Sequence, residues 1–287
     1  MTLKLIENRQ ILVATQLMIV AALLAAIDII IVRLLTEDLH PFLIAFFRSL
    51  FGLLFISPWI LKKRSVLKTH YSYRHVFRAG FKLLSLVAFF IAITTAPLVD
   101  VTTIAFTAPI FVMVGAWFFL GEKPVIGRIF AVMCGFGGVL FVLQPGQGIV
   151  STALLFALAG AILAAVIQLM LKGMSRQDST NTLVAWNLIA TVPLAAIPLF
   201  WFWTTPTWEQ LGLLMLQGVL GALNMATVTR AFALAEASFV SPLEFLRLPA
   251  IALFAFLFFD EVASLTTLIG AGIIFLSILF MGKNNRS

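Results

Sequence analysis

Cysteine is nearly absent from this chain. Its 287 residues include one, Cys134, which excludes an intramolecular disulfide and gives no sign of an oxidising ectodomain. Charge is equally scarce, at 11% of residues against roughly 25% in a soluble domain. Catalytic signatures are missing too. There is no G-x-x-x-x-G-K-S/T phosphate loop, no H-E-x-x-H zinc helix and no G-x-S-x-G elbow. His40, His70 and His75 all read as loop residues without metal-ligand spacing. These gaps leave no basis for catalysis, a metal, a cofactor or a nucleotide, so any work across a membrane has to run on a gradient, by exchange or downhill.

What the chain has in abundance is apolar surface. Hydrophobic residues make up 62% of it and 28 are Phe, more than a water-soluble core of this length could hide, so most of that surface faces lipid. The net charge of +7 comes from 19 Lys and Arg against 12 Asp and Glu. Their clustering in short loops reads as a topology signal, with the lipid bilayer rather than nucleic acid as partner.

Placing loops where charge, Pro and Gly interrupt the apolar runs gives ten spans, at 12–35, 42–61, 79–96, 101–120, 126–143, 152–171, 182–203, 210–234, 238–258 and 265–282. The first is too long for a signal-peptide core. The expected fold is an all-α membrane protein of two five-helix units, residues 1–147 and 148–287, divided at Gln144-Pro145-Gly146-Gln147-Gly148. Five is odd, so the units insert in opposite directions, as inverted repeats. Lys and Arg fall in alternate segments: Lys4 and Arg9, then Lys62 to Arg78, then Lys123 and Arg128, then Lys172 and Arg176, then Arg230, then Lys283 and Arg286. That asymmetry puts both termini in the cytoplasm.

The two units share a signature. Ala108-Pro109-Ile110-Phe111 leads to Leu120-Gly121-Glu122, and Leu248-Pro249-Ala250-Ile251 leads to Phe259-Asp260-Glu261. The proline-to-glutamate spacing is thirteen residues in one and twelve in the other, which points to an internal duplication.

Ionisable residues inside spans are costly and are functional candidates by default. Glu244 and Arg247 lie three residues apart on span nine, roughly 10 and 14 Å deep counted from Ser238. Pro242 and Pro249 bracket them, each removing a backbone hydrogen bond. Such broken backbone is tolerated only in protein or against a watery cavity. Two readings stand: a substrate-binding pair, with Pro242 and Pro109 beside it, or an intrahelical salt bridge that neutralises two buried charges. Asp28 and Arg48, both about 10 Å from the outer boundary on adjacent spans, read as a structural or gating charge pair. Arg33 and Lys82, nearer span ends, read as snorkelling. Gln16, Gln168, Asn187, Gln217 and Asn224 read chiefly as helix-to-helix hydrogen bonders. Trp201, Trp203 and Trp208 read as interface anchors, and the glycines of spans five and ten as close packing.

With ten spans in two halves that each close on the Pro-to-Glu signature, the chain resembles the EamA-type members of the drug/metabolite transporter superfamily. Phe46-Phe47-Arg48-Ser49-Leu50 is also similar to the arginine-bearing second span common there. The resemblance covers nearly the whole chain and departs at Asp260, where Gly stands in the first copy. It implies a central cavity lined mainly by spans 1, 3, 4, 6, 8 and 9, with spans 5 and 10 packed aside. Members include YddG-type exporters of aromatic amino acids. The expectation is therefore a bacterial inner-membrane exporter of amino acids or related metabolites, working by alternating access on a small-molecule substrate. A carrier of another metabolite or of an adenosyl compound, a channel and a polytopic membrane enzyme are the alternatives. Nothing in the sequence specifies a coupling ion or an oligomeric state.

Overall fold

The computed structural model describes residues 2–35, 38–95, 98–143, 152–259 and 265–284. Among them there is no strand. The helices are α1 (Thr2–Leu35), α2 (Pro41–Lys62), α3 (Ser72–Thr95), α4 (Leu98–Ala105), α5 (Ala108–Phe119), α6 (Ile126–Leu143) and α7 (Thr152–Met174). Then follow α8 (Thr180–Ala196), α9 (Leu199–Phe202), α10 (Trp208–Leu234), α11 (Ala237–Val240), α12 (Arg247–Phe259) and α13 (Leu265–Asn284). Two 3-10 segments, Arg64–Leu67 and Ser241–Leu246, complete the regular structure.

Among the described residues seven stretches are long and apolar enough to cross a membrane: Arg9–Val32, Pro41–Lys62, Ser72–Ala92, Val101–Phe119, Thr152–Met174, Trp208–Leu234 and Ala237–Phe258. The other expected spans fall short of that measure. Ile126–Phe141 and Leu268–Phe280 are shorter apolar helices, and α8 stops at Ala196, just before Pro198 leads into α9.

Caps and breaks follow local chemistry. Pro41 opens α2, and His40 caps it by accepting the Phe42 N–H at Nδ1, 3.3 Å away. Burial among Phe42, Phe90 and Phe202 holds the His40 pKa below its ordinary value, which keeps that lone pair free. Thr207 and Gln210 form a capping box on α10. Pro109 cannot donate to the carbonyl four residues before it, and the helix restarts there: α4 ends at Ala105 and α5 begins at Ala108. Pro242 has the same effect in the other half, where Ser241–Leu246 tightens into a 3-10 segment between α11 and α12.

The packing pairs exchange when the halves are swapped. Helix α1 packs on α10 as α3 packs on α7; α2 packs on α10 as α3 packs on α8; α1 packs on α12 as α5 packs on α7. The α2–α8 and α6–α13 contacts map onto themselves. The α6–α13 contact depends on missing side chains, since a Cβ on Gly138 would stand 2.9 Å from the Gly270 carbonyl oxygen. Gly137 and Gly272, expected to serve the same contact, face open space instead.

Two sequence expectations are corrected at the start of α3. The helix begins at Ser72 rather than at residue 79, and His75 lies within it, fully buried, not in a loop. The extra turns are stable because their polar groups find partners across the halves. His75 Nε2 lies 3.3 Å from Asp178 Oδ2, its ring stacks on Trp186, and the Asn187 amide, assigned with its oxygen toward Arg78, accepts from it at 3.0 Å. Consequently Lys82 sits ten residues into α3, within electrostatic reach of Asp28 and Arg48, rather than near a span end. The Arg33 side chain lies outside the described residues. Trp201 and Trp208 are exposed at 75% and 89%, as interface anchors should be.

Candidate functional site

The two proline breaks face one cavity of about 620 Å³. Its walls come from α1, α3, α4, α5, α7, α10, the second 3-10 segment and α12, while α6 and α13 pack against each other to one side. Ala21, Ala22 and Ala25 make room on α1, because a larger residue at any of them would fill the space. Phe89 and Phe106 supply aromatic faces, and the Phe106 ring lies at 29° to that of Phe245, 6.4 Å between centroids.

Polar groups enter the cavity from five elements: Thr102 on α4, Gln168 on α7, Asn224 on α10, Glu244 on the second 3-10 segment and Arg247 on α12. Gln168 on α7 donates from Nε2 to Glu244 Oε1 at 2.9 Å, and its own Oε1 is buried and has no partner among the described residues. Arg247, the first residue of α12, exposes its side chain to the space, and Asn224 of α10 also lines it. Among the described residues no ion pair within 4 Å joins Glu244 to Arg247, so the intrahelical salt bridge is not formed. Glu244, in the 3-10 segment, is held by Gln168 instead, and Arg247 begins the helix after it; both line the cavity.

The remaining sequence candidates fall as follows. Pro109 lines the cavity. Pro242 is buried behind it and shapes the backbone without facing the space. Asp28 and Arg48 form an ion pair at 3.0 Å, with the Asp28 side chain 7% and the Arg48 side chain 34% exposed. Arg247 is within electrostatic reach of both. Among the described residues no group of three His, Cys, Asp or Glu could hold a metal ion.

Sequence reasoning missed Gln168 as a wall residue, having taken it for a helix-to-helix bonder; it is both. The signal was there, since it is a lone amide in an otherwise apolar helix. It also missed the polar closure at the end where the basic loops meet. Asp178, between α7 and α8, accepts from Thr69 Oγ1 at 2.5 Å and from the His70 N–H at 3.1 Å. Burial pushes its carboxyl pKa up, but these bonds and those with the His70 and His75 rings outweigh it and leave it below the usual value. Beside it, Arg176 donates to the Leu120 carbonyl at 3.0 Å, and Lys172 Nζ donates to the Phe232 and Ala235 carbonyls at 2.8 and 2.6 Å.

Comparison with known proteins agrees with this arrangement. A model of the EamA-like transporter family matches residues 12–144 and again residues 151–283. A riboflavin transporter of Rhizobium johnstonii is 29% identical over 84% of this chain and 80% of its own length. An S-adenosylmethionine uptake transporter of Rickettsia bellii is 28% identical over 87% and 86%. The pseudopaline exporter CntI of Pseudomonas aeruginosa is 28% identical over 85% and 86%. A solved crystal structure of a protein aligns with a TM-score of 0.78 over 96% of this chain and 99% of that one, at 18% identity, which shows a shared fold.

Proposed function

Because the chain belongs to the EamA-like transporter family, we propose that it is a secondary carrier of carboxylate-bearing small metabolites, amino acids among them. Its ten spans form two inverted units, 1–147 and 148–287, that rock about the central cavity in a bacterial inner membrane, with both termini in the cytoplasm. Export is the working direction. The observation that carries this reading is the cavity wall where Gln168, Glu244 and Arg247 converge. Arg247 offers a planar fork for a carboxylate, while Glu244 and the spare Gln168 Oε1 offer acceptors for an ammonium. Glu244 and Arg247 sit on the broken span, where irregular backbone can face a watery space, and Gln168 faces them from the unbroken α7.

A second reading favours a larger heteroaromatic cargo, such as riboflavin or S-adenosylmethionine. The cavity of about 620 Å³ falls in the range of roughly 300–1,000 Å³ typical of drug-sized ligands, and Phe89 and Phe106 offer stacking faces. Curated relatives carry those cargoes by name.

Counterflow in proteoliposomes separates the possibilities. Labelled amino acids, riboflavin and S-adenosylmethionine are presented singly, each with unlabelled solute on the other side. A carrier shows trans-stimulation with its own cargo; a channel shows none with any. Arg247→Lys should weaken transport while keeping the charge, because a point charge does not replace the fork. Normal substrate affinity in a well-folded Arg247→Ala protein would refute the assignment.

A further inference from the structure

The Pro-to-Glu signature has a role that the cavity does not explain. Glu122, which closes it in the first half, reaches across to the second. Its Oε1 accepts from the Ala237 N–H at 2.7 Å, and its Oε2 accepts from the Ser238 N–H and Oγ at 2.9 and 2.6 Å. These are the first N–H groups of α11, whose own N-cap residue, Glu236, makes no side-chain cap bond. The cap is supplied by the other half of the molecule. Gly121 makes this possible: at φ +70° it turns the chain after α5 so that Glu122 can point back. Arg128 on α6 completes the junction, meeting the Glu236 carboxylate and donating to Ser238 Oγ at 2.7 Å.

Glu244 lies six positions after Ser238, and the stretch between them forms one rod of α11 and 3-10 turns. Ser238, Val240, Ser241, Leu243 and Phe245 along it are all 0% exposed. Packed segments of this kind shift as units rather than deforming continuously. Helix α7 holds both ends of the same rod. Its Lys172 binds the turn before α11, and its Gln168, one turn away, binds Glu244.

We propose that Glu122 and Arg128 are positioning residues that lock the Glu244-bearing rod to the first half, so that opening the basic end of the molecule releases the cavity carboxylate. This rests on Glu244 facing the cargo, but the test needs no cargo. In purified protein in detergent, a hydrophobic carbodiimide reacts with accessible carboxyl groups, and mass spectrometry reads the rate at Glu244. Glu122→Gln should raise that rate at least about fivefold, the lower edge of ordinary coupling between sites. Ser238→Ala, which removes one hydroxyl, should raise it less. Glu209, remote from the junction, should react at an unchanged rate in every variant. A folded Glu122→Gln protein with an unchanged Glu244 rate would overturn the proposal, as would an equal rise at Glu209. If Glu122→Gln does not fold, Ser238→Ala decides alone, and an unchanged rate there overturns the proposal. A rise without trans-stimulation by any solute would sink the carrier reading and leave this coupling standing.

Discussion

The Asp28–Arg48 pair offers an asymmetric test of the charge band beside the cavity. At 3.0 Å and an effective dielectric of about 20, the attraction is about 5 kcal/mol before desolvation is counted. A simple buried pair would lose similar amounts whichever member is removed, but these partners do not have equal company. Asp28 is within electrostatic reach of Lys82 and Arg247 as well as paired with Arg48. Asp28→Asn therefore leaves neighbouring cations without their shared counter-ion, and should cost about 3–5 kcal/mol, the range for stranding a buried charge. Arg48→Gln leaves Asp28 with two other cations nearby and shortens a side chain that is 34% exposed. It should cost only about 1–2 kcal/mol, between the values for exposed and buried pairs. At about 2–4 °C per kcal/mol, the melting midpoint should fall by roughly 6–20 °C in the first variant and 2–8 °C in the second. The double variant should recover part of the Asp28→Asn loss, because one stranded cation is gone. Tryptophan fluorescence of detergent-purified protein on heating reads all three. An Arg48→Gln loss equal to or larger than that of Asp28→Asn, or strictly additive losses, would refute the shared-counter-ion argument.

Three further outcomes can be checked. Gly138→Ala should destabilise by about 1–3 kcal/mol, because its Cβ would stand 2.8 Å from Ile274, whereas Gly137→Ala, facing open space, should stabilise by about 0.5–1 kcal/mol; paired melting curves compare them. Asp178 has a depressed pKa, so its stabilisation is fully present above the ordinary carboxylate value and fades as pH falls below it; an Asp178→Asn protein should melt lower at pH 7 and converge with the parent in acid. With Cys134 replaced, single cysteines at Ser65 and Ser179 should label from the cytoplasm and one at Gln147 from outside, and outside labelling at Ser65 would reverse the topology.

The helices and their breaks were legible along the chain for a simple reason. A membrane span is a length of apolar residues, and Pro acts on the carbonyl four residues before it, so both are local properties. The start of α3 was misread on the same logic. Arg74, His75 and Arg78 look like loop chemistry until Asp178 and Asn187, more than a hundred residues away, arrive to satisfy two of them. Charge within a span shows that a partner must exist and not which one it is. Asp28 with Arg48 was an inference from depth alone, and the ion pair matches it. Of the two readings of Glu244 with Arg247, the salt bridge is not formed, because Gln168 takes the carboxylate, while both residues line the cavity.

Composition and periodicity, then, were enough for the class, the duplicated signature and the residues that had to be explained. Which side chains meet was decided by the assembly of the two halves. The Glu122 cap on α11, the Gln168–Glu244 bond and the Asp178 cluster each join residues from distant parts of the chain. Hydrogen bonds act over about 3 Å, so no pattern read along one segment can anticipate them. The cavity is likewise a property of the assembly, since it is the space that small α1 residues and two broken spans leave when the halves close on each other.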